Sequence, residues 1–372
     1  MNKKIAILTF HRACNYGAFL QGYALQKSLD ELPNVEAFLL DYHSHAVYDG
    51  YTQFGLLRRG GNPLKNMILE TLLFTTIWKR NRIFTDFRKK HYRVLRENLN
   101  RDELSRTAQE YDGIIVGSDQ VWNTEITKDD SSYLLDFVPD TVKKFAYAAS
   151  IGRDDLNPEE LEQMTSALQS YCGISLREPD LISKLEGALS GMLVRCDMDP
   201  VFLRSAQQWR QFSKYEHRSP YVLCFMLGLR KQLVSCKNFA RELAYQSDLK
   251  PLLLSSDEKW FRFWDMEHFG VASPAEFVGL IDHAECVVTH SFHATAFSII
   301  LHTPFFVEMN TLRNGRLKNL LELTGLTDRV IVNGVLQQEP KPIDWDDVDA
   351  RLAGRIEDSK AYLRHIAEIC GE

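Results

Sequence analysis

Short apolar runs rich in β-branched residues alternate with longer amphipathic stretches along the chain. Residues 5–10 predict a first strand, residues 18–32 a helix and residues 35–41 a second strand. Four later runs predict further strands, over 113–116, 145–149, 174–176 and 192–194. Strands that alternate with amphipathic helices are typical of a parallel sheet with helices on its faces.

The alternation stops over residues 205–220, a polar stretch without an apolar run, and then resumes. The second part predicts strands over 221–226, 249–255, 286–288 and 304–308, and helices over 231–246, 275–283 and 295–301. Residues 345–369 have the pattern of one amphipathic helix. We therefore predict an α/β protein with an N-terminal domain over 1–205, a linker over 206–220, a C-terminal domain over 221–345 and a final helical segment over 346–372.

The composition argues against several classes of protein. A chain of 372 residues, 45% hydrophobic and 25% charged, is an ordinary globular chain long enough for two domains. Its formal net charge of −6 argues against a general nucleic-acid binder, which needs Lys and Arg to neutralise phosphates. The seven cysteines form no CxxC pair, so we expect free thiols in a reducing compartment.

Two features bear on location. The N-terminal stretch MNKKIAILTF is too short for a signal peptide, and the longest apolar run, 67–78, is shorter than the roughly 20 residues of a spanning helix. We therefore expect a cytoplasmic protein. Residues 79–96 carry eight Lys/Arg against Asp86 and are interleaved with aromatic residues. The stretch 67–96 predicts either a peripheral membrane contact or a solvated basic helix that covers the first domain.

Candidate binding residues follow the predicted strands, because ligands of open α/β sheets lie beyond the carboxyl ends of the strands. After the first strand, Asn15 and Gly17 precede a helix whose N-terminal N–H groups can bind an anion. The alternative is that Asn15 only caps the helix and Gly17 makes a tight turn. The stretch has neither a Walker A nor a GxGxxG pattern, so ATP and NAD are not indicated.

Three more strand ends carry candidate residues. Asp119 places a carboxylate after strand 113–116, and Trp122 can stack on a sugar ring; alternatively, Asp119 caps the next element and Trp122 belongs to the core. Arg177 follows strand 174–176, where its guanidinium can bind a carboxylate or phosphate through two N–H groups, or only form a surface ion pair. Asp199, which precedes a proline, predicts a structural turn.

His290, Ser291 and His293 lie at a strand-to-helix joint inside an apolar stretch, THSFHATAF. Three interpretations stay open. The two histidines can be metal ligands, although HExxH and an obvious third ligand are lacking. One histidine can point at a backbone carbonyl inside the core. Finally, Ser291 can cap the helix while His293, in its first turn, helps to bind an anion, since the dipole disfavours a cationic His293 unless an anion lies beside it.

Taken together, these segments resemble the polysaccharide pyruvyl transferase family. The resemblance lies in seven segments that follow the family's order: NYGAFLQGYALQ (15–26), GSDQVWN (117–123), YAASIG (147–152), SLREPD (175–180), DMDPVFL (197–203), THSFHATAFSIILHTPFF (289–306) and RLKNLLELTGLTDR (316–329). One departure is visible, because the family often has D-S-F-H-G where this chain has HSFHA at 290–294. His293 aligns with the family's functional histidine, and Arg177 looks like its donor-binding arginine.

The resemblance implies two Rossmann-like domains that face each other across a cleft, as in GT-B glycosyltransferases, with the last helix returning to the first domain. It implies transfer of the pyruvyl group of phosphoenolpyruvate to two hydroxyls of one sugar, as a cyclic ketal, with release of phosphate, in cell-surface or exopolysaccharide biosynthesis. The acceptor is then a glycan or a lipid-linked saccharide. Neither a redox cofactor nor a metal is expected.

The resemblance also implies a division of roles. His293 binds the donor and acts as general acid and base, while Arg177 clamps the anionic end of the donor. The other residues expected to complete the donor site are Asn15, Gly17, His290 and Ser291. Asp119 is expected to grip or deprotonate the acceptor, and Trp122 to bind its sugar.

Three other functions compete with this one. A nucleotide-sugar glycosyltransferase would use the same two-domain plan, but we see no acidic residue placed for a ribose. A catalytically inactive glycan-binding or assembly protein would not need both His293 and Arg177. A metal-dependent hydrolase would use His290 and His293 as ligands.

Overall fold

The computed structural model describes residues 2–51, 63–128, 130–153, 156–189, 191–215, 219–227, 230–255, 266–309 and 315–371. They form two mainly parallel sheets. The first has six strands, β1 (Lys3–Leu8), β2 (Val35–Leu39), β3 (Gly113–Val116), β4 (Lys143–Ala149), β5 (Gly173–Leu176) and β6 (Val194–Cys196). Their order is β2-β1-β3-β4-β5-β6, and each neighbouring pair is parallel.

The second sheet follows in the chain and has seven strands. They are β7 (Tyr221–Met226), β8 (Lys250–Ser255), β9 (Glu267–His268), β10 (Cys286–Thr289), β11 (Phe305–Glu308), β12 (Val330–Val332) and β13 (Val335–Leu336). The order is β13-β12-β11-β10-β7-β8-β9, and only β12 and β13 pair antiparallel among these strands. The central strands β7 and β10 are buried along their length, which explains their continuous apolar sequence.

Helices cover both sheets. The helices that precede β7 are α1 (Tyr16–Asp30), α2 (His45–Tyr51), α3 (Pro63–His91), α4 (Arg101–Ala108), α5 (Thr124–Thr127), α6 (Pro158–Leu168), α7 (Ile182–Ala188) and α8 (Ala206–Phe212). Those that follow it are α9 (Arg230–Gln246), α10 (Pro274–Asp282), α11 (Phe292–Leu301), α12 (Gly315–Thr324) and α13 (Trp345–Ile369). Four of them begin with a capping box, at Asn100, Asn157, Ser205 and Ser273, so the local sequence defines where they start.

Helix α1 lies between the two sheets, and this explains why nearly all of its residues are buried. Its first residue, Tyr16, stacks on Phe277 of α10, with ring centroids 4.6 Å apart and planes 2° from parallel. The Tyr16 hydroxyl also donates to the carbonyl of Ala272, at 3.0 Å. The N-terminus of α1 is therefore held against the second half of the chain, by which we mean the part that begins at β7.

The segment predicted as a polar linker contains helix α8. Trp209 of this helix is fully buried, donates its indole N–H to the carbonyl of Val201 at 2.9 Å and packs edge-on against Phe297 of α11. The sequence pattern missed this contact because a seven-residue helix with one large buried residue shows no periodicity. The connection between the sheets is thus itself packed in the core.

The last helix, α13, contacts both sheets. Near its N-terminus, the Trp345 ring stacks on His302, which follows α11, with centroids 5.0 Å apart. Near its C-terminus, the Tyr362 hydroxyl donates to the carbonyl of Ala146 in β4 at 3.1 Å. The chain therefore crosses back to the first sheet, and we retain the division at 205, 220 and 345 as a proposal.

The predicted element bounds lie within two residues of the structure, except for the start of α11, where the difference has a local cause. Helix α11 starts at Phe292, three residues earlier than predicted, because the Ser291 hydroxyl accepts the N–H of Ala294 and caps it. Strand β6 lies two residues later than the apolar run that predicted it, and Arg195 is part of it.

Candidate active site

Arg177 lies at the carboxyl end of β5 with only 4% of its side chain exposed. Its Nη2 donates to the hydroxyl of Ser118 and lies 2.5 Å from Oδ2 of Asp199. Its Nε and Nη1 have no hydrogen-bond partner among the described residues. A buried guanidinium with free N–H groups can bind an anion without first giving up its existing partners.

Asp199 has a larger role than the structural turn that the sequence predicts. Its Oδ1 does accept the N–H of Val201 at 3.0 Å, as in a turn. Its Oδ2, however, contacts Nη2 of Arg177 and lies 3.4 Å from Nε2 of His293. Burial raises the pKa of this carboxyl, but the charges of Arg177 and His293 outweigh burial and lower it to about 2. Asp199 is therefore an anion that contacts both Arg177, from the first half of the chain, and His293, from the second half.

His293 lies in the first turn of α11, packed against the N-terminus of α1. A Cβ atom placed on Gly17 would lie only 2.1 Å from Nδ1 of His293, so only glycine permits this approach. Asn15 caps α1 by accepting the N–H groups of Gly17 and Ala18, at 2.9 and 3.3 Å. Two helix N-termini, one from each half of the chain, therefore meet at the His293 ring.

His290 points elsewhere. Its Nε2 lies 2.9 Å from the carbonyl oxygen of Leu227 and 3.4 Å from the amide nitrogen of the same residue, at the end of β7. Burial lowers the pKa of His290, which favours the neutral ring. This geometry is that of the core interpretation, in which a histidine contacts a backbone carbonyl.

Asp119 lies between two arginines. Its Oδ1 is 4.0 Å from Nη1 of Arg177 and 3.8 Å from Nη1 of Arg316 on α12, so both ion pairs are loose. Asp119 has a φ of 74°, a left-handed conformation that Asp adopts more readily than most residues. The turn after β3 therefore aims this carboxylate at the two guanidinium groups.

Arg316 is a site residue that the sequence analysis did not single out. Its guanidinium lies 5.7 Å from the Phe292 ring centroid, and that of Arg177 lies 5.0 Å from the same centroid. Burial, followed by the charge of Arg177, lowers the pKa of Arg316. The sequence feature that could have identified Arg316 is its position in the first turn of a helix, because the helix dipole disfavours a cation there unless an anion is bound.

These groups border a cavity of about 400 Å³ between the two sheets. The first half of the chain contributes Arg177, Asp197 and Asp199, and the second half contributes Phe292 and Arg316. The other lining residues are Pro179, Cys196, Met198, Phe202, Asn319, Leu320, Glu322, Leu323 and Arg355. The predicted donor residues Asn15, Gly17, His290, Ser291 and His293 are not among the described lining residues, and neither is Asp119.

Trp122 lies at a different cavity. It is buried, and its indole N–H donates to the carbonyl of Tyr133 at 2.9 Å. Together with Tyr133, Arg153 and Met164 it lines a space of about 240 Å³ that shares no described residue with the cavity at Arg177. The structure thus places Trp122 in the core wall of a second cavity of the first half.

A metal centre has no support in the described part of the chain, where no three His, Cys, Asp or Glu side chains are grouped to hold an ion. His290 faces Leu227, whereas His293 faces Asp199 and Gly17. The two histidines that the metal hypothesis joined are therefore turned to different partners.

Comparison with known proteins supports both the family and the fold. A family model described as polysaccharide pyruvyl transferase matches residues 15–310, and no curated protein matches the sequence.

Three solved structures show the fold. UDP-N-acetylglucosamine 2-epimerase from Rickettsia bellii is 11% identical, with a TM-score of 0.55 over 100% of this chain and 97% of that one. The S. aureus MnaA–UDP co-structure is 11% identical, with a TM-score of 0.54 over 98% of this chain and 90% of that one. UDP-GlcNAc 2-epimerase from Methanocaldococcus jannaschii is 9% identical, with a TM-score of 0.52 over 99% of this chain and 100% of that one. The predicted α/β fold of two Rossmann-like domains in a GT-B-like arrangement is confirmed.

Proposed function

Because the chain belongs to the polysaccharide pyruvyl transferase family, we propose that it transfers the pyruvyl group of phosphoenolpyruvate to a sugar of a glycan. The C2–O bond to phosphate breaks, and two bonds form between C2 and sugar oxygens. Of the two hydroxyl protons released, one goes to the enol carbon, which becomes a methyl group, and the other leaves with phosphate. The product is a cyclic ketal that retains the carboxylate.

One observation carries this proposal. The guanidinium groups of Arg177 and Arg316, one from each half of the chain, border the same cavity and flank Phe292. Phosphoenolpyruvate has a phosphate and a carboxylate, so it presents two anionic ends to two cations. The free N–H groups of Arg177 offer hydrogen bonds to one end, and Arg316 offers its charge to the other.

The proton transfers need titratable groups close to the donor. The Asp199 carboxylate borders the cavity and lies 3.4 Å from Nε2 of His293, a residue type suited to proton transfer. We assign the acid that protonates the enol carbon to the His293–Asp199 pair. Asp119, held loosely by the two arginines, is then the base that accepts a proton from the acceptor.

The remaining predicted site residues receive supporting roles. Asn15, Gly17 and Ser291 hold the two helix N-termini that position the His293 ring, and His290 supports the end of β7. Trp122 is proposed to hold a sugar of the acceptor at the second cavity. That cavity joins an aromatic wall to polar side chains, a combination that suits a saccharide.

The acceptor is a glycan or lipid-linked saccharide, reached on the cytoplasmic side of the membrane. None of the described helices is both long and apolar enough to cross a bilayer. We propose peripheral contact through α3, which carries two of the large apolar side chains that are exposed, Phe74 at 53% and Trp78 at 50%. The exposed face of the same helix also carries Lys79, Arg82, Lys89 and Lys90.

The donor assignment is tested by thermal unfolding with phosphoenolpyruvate or UDP. A ligand at one hundred times its Kd stabilises the protein by about 2.7 kcal/mol. We expect phosphoenolpyruvate to stabilise the wild type. Arg177→Lys and Arg316→Ala should each weaken binding about 30-fold, because a charged hydrogen bond contributes roughly 2 kcal/mol.

Lys318→Ala is the matched control, since Lys318 lies on the same helix as Arg316 but is 65% exposed. It should bind phosphoenolpyruvate as the wild type does. Stabilisation by UDP alone would favour a nucleotide-sugar enzyme, and equal binding by all four proteins would place the donor elsewhere.

A further inference from the structure

We infer that an anion bound at the free N–H groups of Arg177 competes with Asp199 for the charge of this arginine without displacing that carboxylate from Nη2, and that the His293–Asp199 pair takes up a proton as the anion binds. The inference rests on the proposed function for the identity of the donor, but any small anion at Arg177 should have the same effect. It makes Asp199 a positioning residue that acts through His293 and Arg177, although the sequence predicted only a turn there.

The contacts of Arg177 define the competition. Its Nη2 is shared between Asp199 and Ser118, and the Asp199 side chain is completely shielded from solvent. A buried carboxylate stays charged only while cations or donors lie beside it. A phosphate or carboxylate that binds the free N–H groups of Arg177 adds negative charge within a few ångströms of the Asp199 carboxylate. The proton affinity of Asp199 and of its neighbour His293 must then rise.

Among the described carboxylates, Asp199 lies closer to the Arg177 guanidinium, at 2.5 Å, than Asp119 does, at 4.0 Å. The charged groups that face the His293–Asp199 pair are Arg177, Arg316, Asp119, Glu178 and Asp197. Asp197 is bound by Arg195 through two contacts of 2.7 and 2.8 Å. Glu178 accepts the hydroxyl of Ser150 through Oε1, its Oε2 has no partner among the described residues, and burial raises its pKa. Asp119 lies between the two arginines, 4.0 Å from Arg177 and 3.8 Å from Arg316.

Helix α1 brings Gly17, which has no side chain, against the His293 ring. The helix dipoles of α1 and α11 both disfavour a cationic imidazole, whereas the Asp199 carboxylate favours one. A bound anion shifts this balance towards the cation. The proton then lies on the histidine, within contact of Asp199, and can pass to the enol carbon of the donor.

The experiment is calorimetric titration near pH 8 with phosphoenolpyruvate and, separately, with inorganic phosphate. Each titration is repeated in buffers of different ionisation enthalpy, which gives the number of protons taken up. We expect about one proton per bound anion in the wild type. Asp199→Asn and His293→Gln should each reduce that number by half or more.

Asp41→Asn is the matched control, because Asp41 is also buried and pairs with an arginine and a histidine, Arg12 and His11, but does not line this cavity. It should keep the uptake of the wild type. Asp199→Asn should also bind phosphate as tightly as the wild type or more tightly, since the competing carboxylate is gone. A merely structural Asp199 would instead lose affinity and melting temperature together.

The outcomes separate this inference from the donor assignment. Binding of phosphoenolpyruvate without proton uptake overturns the inference and leaves the proposed function in place. Uptake that survives in both Asp199→Asn and His293→Gln overturns it as well. If neither anion binds, the donor site itself is wrong and the inference fails with it.

Discussion

At the scale of single residues, the site depends on a contact that leaves no room for a methyl group. Gly17 and His293 lie far apart in the chain, and each looks ordinary in its local context. The close approach of the α1 backbone to the imidazole holds the ring in place on one side, and Asp199 holds it on the other. A small change at Gly17 therefore acts on His293 directly.

We expect Gly17→Ala to displace the His293 ring and leave the fold intact. The new methyl group would lie 2.1 Å from Nδ1, so the ring must move. Because a misplacement of about 1 Å can reduce the efficiency of a site by about 100-fold, the proton uptake on phosphate binding should be largely lost. The His293 signal, identified in NMR spectra by its absence from His293→Gln, should shift.

The control for this variant is Gly187→Ala on α7, where nothing lies within 4 Å of the new methyl group. It should leave proton uptake unchanged and stabilise the protein slightly, because alanine favours a helix by about 0.5–1 kcal/mol over glycine. If Gly17→Ala behaves in the same way, the close contact has no functional role.

At the scale of elements, helix α3 ends in basic residues, although the chain has a formal net charge of −6. Its buried side carries Ile77, Arg80 and Phe84, which pack against the first half of the molecule. Its exposed side carries two aromatic residues one turn apart and, further along, basic residues. Aromatic side chains beside cations are typical of helices that lie on a membrane surface.

We expect the protein to float with vesicles that contain anionic lipid at low salt, and to be released at high salt, because each basic residue contributes about 1 kcal/mol near such a surface. Trp78→Ser and the double variant Lys89→Glu with Lys90→Glu should each reduce flotation several-fold. Tyr245→Ser, which removes an aromatic residue that is 63% exposed on α9, is the control and should float like the wild type. If the wild-type protein does not float with anionic vesicles at low salt, the proposed membrane contact is wrong.

At the scale of the whole molecule, the two halves are joined by three elements that pack in the core. Helix α1 contacts α10, helix α8 contacts α11, and α13 contacts both sheets. The cavity lies between residues of the two halves, so its shape depends on how these elements hold the halves together. Tyr362 on α13 is a central part of this arrangement, because it is fully buried and touches Gly173 and Ala146 of the first sheet.

We expect Tyr362→Ala to destabilise the protein by about 3–5 kcal/mol, as for other large buried aromatic residues. Tyr362→Phe, the matched control, loses only one hydrogen bond and should cost about 1 kcal/mol. Urea unfolding measures both. Equal stability of the two variants would show that α13 is not held through this ring.

The alternation of apolar runs and amphipathic helices was enough to predict the fold class, because each strand buried on both faces has a continuous apolar sequence. Capping by Asn15 and by Ser291 was one of the interpretations that the sequence left open, and both caps are present, since a cap depends on neighbours within three residues. Arg177 could be named as a candidate because it directly follows a buried strand, but its position alone equally allowed a surface ion pair.

The sequence by itself therefore determined what depends on local order: the strands, the caps and the chemistry available at each strand end. The tertiary structure alone decided which of these groups meet. Asp199 resembled a turn until its second oxygen was found beside Arg177 and His293, and Arg316 joined the site from the other sheet. Contacts between residues far apart in sequence depend on how whole helices and sheets pack, and no short window of the chain encodes that.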